Sequence, residues 1–259
     1  MGARSRLNLT LTIVSLAAVV IAIAVWQIGA QGVDKTLLPS PVAVAQAFWE
    51  SLLDGSLARN VGISVQRVLL GWLLGAVIAI PLGILTGTSL YVRAALDPFI
   101  HFFRFVPALA LVSLFLLWFG IGEESKVNLI AWASGFVIAV TTAAGAAAVP
   151  ADKIDAARCF GATRLQVLAQ VIVPASIPSI FTGMRLALAN AFLVVVAAEA
   201  LAAQSGIGFL VWNARTYFRT DQIFLGVILF GLLGFVFDRI WKLIGRTALR
   251  RFLRGEGNY

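Results

Sequence analysis

The chain has 259 residues, of which 60% are hydrophobic and 12% charged. Soluble domains carry about a quarter charged residues, and spans of about 20 residues each would consume most of this length, so an ordinary soluble fold and a sizeable aqueous domain are both excluded. One cysteine, Cys159, excludes an internal disulfide and a multi-cysteine metal site, and the single histidine, His101, argues against a protein-only metal centre. The formal charge of +8 would suit nucleic acid or a membrane surface. The basic residues fall mainly in short loops, however, where topology accounts for them and no nucleic-acid partner is required.

Charge-free apolar runs predict six transmembrane helices, at about 9–31, 68–89, 99–119, 127–149, 180–203 and 223–242. Arg4 and Arg6 ahead of the first run imitate a signal peptide, but the run is too long for an h-region and is read as a retained span. Pro39-Ser40-Pro41 then breaks the chain before Val42–Leu53, where Val42, Ala45, Phe48, Trp49 and Leu52 share one helical face. That face suits a helix in the outer interface with Trp49 among the headgroups, or a packed extramembrane helix. The second span carries Gly71, Gly75, Ala79, Gly83 and Gly87 at four-residue steps, with Pro81 as a candidate kink, and the fourth carries Gly135, Ala139, Ala143 and Ala147. Such stripes let helices approach closely where lipid supplies no hydrophobic drive, so they predict the packing faces of a tight bundle. The whole, 1–259, reads as one all-α transmembrane domain.

Basic residues orient it. With the N-terminus inside, Arg4, Arg6, Arg93, Arg104, Lys153, Arg158, Arg164, Arg185 and the C-terminal group Arg239 to Arg254 fall on the inner side. The outer side receives only Lys35, Arg59, Arg67, Lys126, Arg215 and Arg219, offset by Asp34, Glu50, Asp54, Glu123, Glu124 and Asp221. The positive-inside bias predicts that both termini, and the polar insert at about 150–174, are cytoplasmic.

Within that insert, Asp152–Phe160 predicts a short helix with acids favouring its N-terminal dipole, ended by Gly161 in the left-handed conformation. Thr163 and Gln166 fit a capping box opening a second helix through Leu165, Val167, Leu168 and Val171. Pro174 is expected to end it. Ala156 and Ala157 leave a smooth surface for a partner groove. An ordinary polar connector between spans is the plainer alternative.

The spacing Asp155-Ala156-Ala157, three residues, Gly161, nine residues, Val171-Ile172-Val173-Pro174 resembles the "EAA" loop of ABC-importer permeases. Leu37 to Pro41, Arg93 to Pro98, Phe119 to Glu123, Gly183 to Leu188 and Ser205 to Gly208 resemble the branch importing nitrate, sulfonates, taurine or bicarbonate. Asp155 stands where the family name expects Glu, and Val171 and Val173 where Ile and Leu are usual. The resemblance implies a type I ABC importer permease-like bundle in the bacterial inner membrane, coupled through Asp155, Ala156, Ala157, Gly161 and Pro174 to an ATPase. It implies as partners a second permease copy, two cytoplasmic ATPase subunits and an extracytoplasmic solute-binding protein. ATP and Mg would belong to the ATPase: none of Lys35, Lys126, Lys153 and Lys242 follows a glycine, so the Gly-Lys step of a P-loop is missing and no cofactor is expected in this chain.

For the substrate pathway the candidates are Arg104, Arg185, Asn190 and Glu199. Glu199 lies deep in an apolar run, and intramembrane acids are functional candidates by default. It could tune the path, pair with a cation across the bundle, or bond backbone groups at the Gly206-Ile207-Gly208 turn. Arg104 and Arg185 sit near predicted inner span ends, where they could attract an anion or snorkel to headgroups. Two other readings remain: a stand-alone secondary transporter using Glu199 as its ion site, and a permease for a vitamin precursor or other aromatic solute, suggested by Phe102, Phe103 and Phe105. A membrane enzyme would need a catalytic constellation that scattered acids and one histidine do not supply.

Overall fold

The computed structural model describes residues 3–248, so Arg250, Arg251 and Arg254 of the topology argument lie outside it. Every element among these residues is helical: α1 Ala3–Gln31, α2 Pro41–Leu53, α3 Ser56–Thr88, α4 Leu90–Phe103, α5 Ala108–Phe119, α6 Glu123–Ala147, α7 Ala151–Cys159, α8 Arg164–Val167, a π-turn Leu168–Ile172, α9 Val173–Ala202, α10 Ile207–Thr216 and α11 Thr220–Ala248. Five helices are long and apolar enough to cross a membrane, and a sixth crossing is reached only if α4 and α5 count as one broken span. The described residues group into two compact units: residues 3–59 with Leu210–Leu229, and Asn60–Phe209 with residues 230–248.

In the first unit, Ser40 caps α2 by accepting the Ala43 N–H at 3.2 Å, and Pro41 occupies the first turn, where its missing N–H costs nothing. The helix buries Val44, Ala47 and Ser51, while Val42, Trp49 and Leu52 stay exposed. The apolar stripe read from sequence therefore faces outward, as an interfacial helix requires. Trp26 of α1 donates to Pro39 O at 3.0 Å and stacks on Phe224 of α11 at 5.7 Å.

The second unit is built on a glycine seam. A Cβ on Gly71 would come within 2.6 Å of Ile130 Cβ, one on Gly75 within 2.7 Å of Ala131 O, one on Gly83 within 2.7 Å of Ala139 O, and one on Gly87 within 2.6 Å of Ala146 Cβ. The small stripe of α3 thus lies directly on α6. The opposite side of α6 packs on α5 and α9, and Val68, Trp72, Leu129, Ile130, Ile138, Ala187, Ala191 and Val195 close the core between them. Trp72 donates to Met184 O at 2.9 Å, and Trp241 of α11 donates to Phe181 O at 3.1 Å while stacking on the Phe181 ring.

The helices differ in extent from the apolar runs in three places. The second helix begins at Ser56, not near 68, because Ser64 and Arg67 find buried partners and need not end it. The third span is not a straight 99–119 helix: α4 and α5 meet at 103° across Arg104–Pro107. Pro107 disfavours helical angles at Val106 and supplies no N–H, and its own extended backbone opens α5. The fifth span is the end of a longer rod, 39 residues from Arg164 to Ala202.

Candidate coupling loop and membrane-buried polar sites

Helix α7 ends as its sequence dictates. Gly161 has φ +82°, its N–H donates to Arg158 O at 2.9 Å, and the Ala162 N–H reaches back to Ala157 O at 3.1 Å. That is the paired Schellman pattern, which satisfies carbonyls the helix leaves open. Thr163 Oγ1 accepts from Gln166 N at 3.3 Å, while Gln166 Oε1 accepts from Thr163 N at 2.7 Å, closing the capping box. A rigid knuckle results, helix–turn–helix, with Asp155, Ala156, Arg158 and Phe160 exposed. Asp155 makes a 3.4 Å pair with Arg158 one turn on.

Two details differ from the sequence reading. Ala157 turns inward with Ile154, onto the cluster of Ala146, Val149, Val167 and Ile172, so only Ala156 of the pair offers a free surface. Pro174 does not end the second helix. The π-turn takes the Val173 N–H to Leu168 O, widening the spiral just ahead of the ring, and the helix continues as α9. An extra residue in the turn relieves the clash that proline makes with the carbonyl four residues back.

Glu199 is fully buried, and the surrounding backbone is shaped for it. Its carboxylate accepts from Ser64 Oγ at 2.8 Å, Arg67 Nη1 at 2.8 Å and Gly208 N at 2.8 Å. Gly206 has φ +117°, and a Cβ there would fall on the carboxylate itself. The Ser205–Gly208 motif is therefore a turn that closes backbone onto an acid. Asn60 Oδ1 accepts the Gly206 N–H at 2.8 Å, and Ser64 Oγ accepts that of Ile207 at 2.9 Å.

Arg67 completes the network. Its Nε and Nη2 donate to the two oxygens of Glu123 at 2.6 Å, and Nη1 also reaches Ser205 O at 2.7 Å. Lys126, equally buried, donates to Gly122 O at 3.1 Å and sits 3.4 Å from Glu123. Two cations and two carboxylates thus tie α3, α6 and α9 together. The sequence places Arg67, Lys126 and Glu123 on the outer side without showing that they pair. The missed signal was spacing: Ser64 and Arg67 lie one helical turn apart, in register with Val68 and Gly71. Both carboxylate oxygens of Glu199 are thus engaged within the bundle, by Ser64, Arg67 and the Gly208 N–H.

Arg185 is also committed, donating from Nε to Asp238 at 2.5 Å beside Lys242, 2.9 Å from the same carboxylate, so it links α9 to α11. The structure does bring Arg104 and Asn190 together. Both line a cavity of about 280 Å³ at the α4–α5 break. Asn190 Nδ2 donates to Ala133 O at 3.1 Å, and the Arg104 guanidinium lies 4.7 Å over the Phe105 ring.

Long apolar helices, a polar knuckle projecting from them and internally neutralised charges define an integral-membrane transport component. Residues 79–250 match the family of binding-protein-dependent transport system inner membrane components. The chain belongs to this family and is a multi-pass inner-membrane permease component of an ABC importer. It is 40% identical over 232 residues to SsuC of Bacillus subtilis, a permease protein named for aliphatic sulfonates transport, covering 89% of this chain and 84% of that one. It is 35% identical to the taurine transport system permease protein TauC of Escherichia coli, covering 92% and 88%. The nitrate import permease protein NrtB of Leptolyngbya laminosa is 32% identical, covering 89% and 84%. Among solved structures, the methionine ABC transporter MetNI in an inward-facing conformation aligns with TM-score 0.61 at 21% identity, covering 73% of this chain and 95% of that one. That likeness is one of fold.

Proposed function

We propose that the chain forms, with a second copy of itself, the translocation path of an importer for a small oxyanion of the sulfonate, taurine, nitrate or bicarbonate kind. Two cytoplasmic ATPases drive it through the Asp152–Pro174 knuckle, and an extracytoplasmic binding protein supplies the solute. The names of the relatives support the solute class. The observation that carries the coupling role is the knuckle's seating. Ile154 and Ala157 of α7 rest on Ala146 in the last turn of α6, on Val149 just past it, on Val167 at the end of α8 and on Ile172 in the π-turn that leads into α9. Displacing α7 therefore displaces α6 and α9, which are also packed on each other. Packed elements of this kind move as bodies between discrete arrangements. ATP-driven approach of two nucleotide subunits would push two knuckles together and rock the bundles between inward- and outward-open states.

Copurification with candidate ATPase and binding protein, followed by solute-stimulated ATP hydrolysis in liposomes, tests the assembly. Topology has a built-in probe in Cys159, exposed at the end of α7. A membrane-impermeant maleimide should label it in inverted vesicles and not in intact cells. Labelling from outside, or uphill transport by the purified chain alone, would refute the reading.

A further inference from the structure

Phe218, between α10 and α11, stands in a backbone conformation that its side chain does not favour. Among the described residues it is the one non-glycine residue with positive φ, at +55°, an outlier for a bulky side chain. The turn that ends α10 imposes it. The Phe218 N–H donates to Arg215 O at 3.2 Å and the Arg219 N–H to Ala214 O at 2.9 Å, the same paired pattern that closes α7 at Gly161. Glycine is the usual residue at that position because it has no Cβ to strain. Packing within the chain does not offset the strain here: Phe218 is 77% exposed, and Tyr217 beside it 69%. A strained residue whose ring gains so little from its own chain directs attention to a surface outside it.

The corner lies where two membrane-length segments end. The segment Thr220–Thr247 of α11 starts two residues beyond Phe218. The segment Thr10–Gln31 of α1 ends beside it: Trp26 stacks on Phe224 at 5.7 Å, and Thr220 Oγ1 donates to Lys35 O at 3.2 Å. Helix α2, which follows, leaves Trp49 and Leu53 exposed. A chain that enters the bilayer at Thr220 holds Tyr217 and Phe218 at the water boundary, where aromatic rings concentrate. Every residue from Arg215 through Arg219 is exposed. The Arg215 guanidinium lies 5.0 Å over the Trp212 ring, and neither Arg215 nor Arg219 belongs to an ion pair among the described residues. Two rings set between two guanidiniums that have no carboxylate offer apolar surface to the acyl boundary and donors to phosphate.

We propose that the α10–α11 corner is a bilayer anchor: Tyr217 and Phe218 insert at the headgroup–acyl boundary on the side where α1 ends, and Arg215 and Arg219 meet lipid phosphates. The anchor requires only that the chain spans a membrane, and it is independent of the solute and of the coupling role. A protein seated on the corner is the competing occupant, and the test separates the two.

The full chain is placed in nanodiscs of phosphatidylcholine, with Cys159→Ser removing the native thiol and a nitroxide attached through Tyr217→Cys. Power-saturation electron paramagnetic resonance compares collisions of the label with oxygen, which concentrates in lipid, and with a water-soluble nickel chelate. Oxygen should dominate. Phe218→Gly should lower the immersed-to-exposed ratio about tenfold, the loss of one apolar ring from the interface, whereas Phe218→Leu should keep most of it. Because glycine suits this turn, Phe218→Gly should leave thermal unfolding unchanged or shifted upward, so that lost immersion is not lost folding. Adding phosphatidylglycerol should deepen the label, and should fail to do so when Arg215→Gln and Arg219→Gln are combined. Dominance of the nickel chelate while Phe218 is present, or an unchanged ratio in Phe218→Gly, would overturn the proposal. Shielding of the label from both probes would overturn it by assigning the corner to a protein contact, and indifference to phosphatidylglycerol would remove the arginines from the anchor.

Discussion

Arg67→Met asks how much of the bundle depends on its charge network. The guanidinium makes four hydrogen bonds, to both oxygens of Glu123, to Glu199 and to Ser205 O. The Glu123 side chain is 61% exposed, so that arm is screened and contributes about 1 kcal/mol or less. The Glu199 side chain is 0% exposed, and stranding one member of such a buried pair costs about 3–5 kcal/mol. Arg67→Met should therefore cost about 3 kcal/mol or more. Glu199→Gln keeps acceptors for Ser64 and Gly208, and Arg67 keeps Glu123, so it should cost less, about 1–3 kcal/mol. The double variant should lose less than the two singles together, by about 1–3 kcal/mol, because the charge stranded by one change is removed by the other. Unfolding by sodium dodecyl sulfate in mixed micelles, followed by tryptophan fluorescence, gives all three values. Strictly additive losses, or a cost for Arg67→Met below about 1 kcal/mol, would mean that the network does not hold α3, α6 and α9 together.

Three other changes probe the seam and the knuckle. Gly83→Leu drives a side chain into Ala139 O and Thr142, and overpacking of this sort costs about 1–3 kcal/mol or more; lower thermal stability and poor monodispersity in detergent should follow, with no such effect from Gly231→Leu, where a Cβ meets nothing within 4 Å. Gly161→Val should abolish uptake while membrane insertion persists: a Cβ there also meets nothing, but φ of +82° is strained for a side chain by about 1–2 kcal/mol or more. Normal uptake by that variant would remove the need for the Schellman turn. Thr163→Ala removes the cap of α8 at a cost of about 1 kcal/mol, which should appear as faster amide exchange across residues 164–168 with unchanged exchange in α6.

The knuckle was the most legible part of the structure because its instructions are local. Gly161, Thr163 and Gln166 each act on backbone groups within a few residues, so their types and spacing suffice. The glycine stripe of α3 was legible for a related reason, since an α-helix repeats its face regardless of what covers it. Its match to α6 was suggested by the second stripe and then found as direct backbone contact. Arg67 and Lys126 were not legible. Their neutralisation depends on Glu199 and Glu123, brought up from other helices, and a linear scan treats an arginine beside an apolar run as the end of that run. Pro174 failed in the same way: proline forbids a regular turn, but a π-turn is a permitted answer that sequence alone does not choose.

Arg104 shows where counting depth along a chain breaks down. As part of a straight helix over 99–119 it would stand one turn from a membrane face, with headgroups in reach of a long side chain. The Arg104–Pro107 break gives it a different address, beside Trp132 and Asn190, and the bend of 103° leaves α4 and α5 as separate short helices around it. Non-helical backbone at membrane depth is tolerated where it is packed within protein or lines a water-filled space, and discontinuous helices are a recurrent way to build solute sites in transporters. The proline that makes the third span hard to read is therefore what places Arg104 on the cavity wall it shares with Asn190. Straightening the break, by Pro107→Ala, should carry Arg104 away from Asn190, read as a longer distance between spin labels at Phe105 and Ala189. An unchanged distance would show that the bend does not depend on the proline ring.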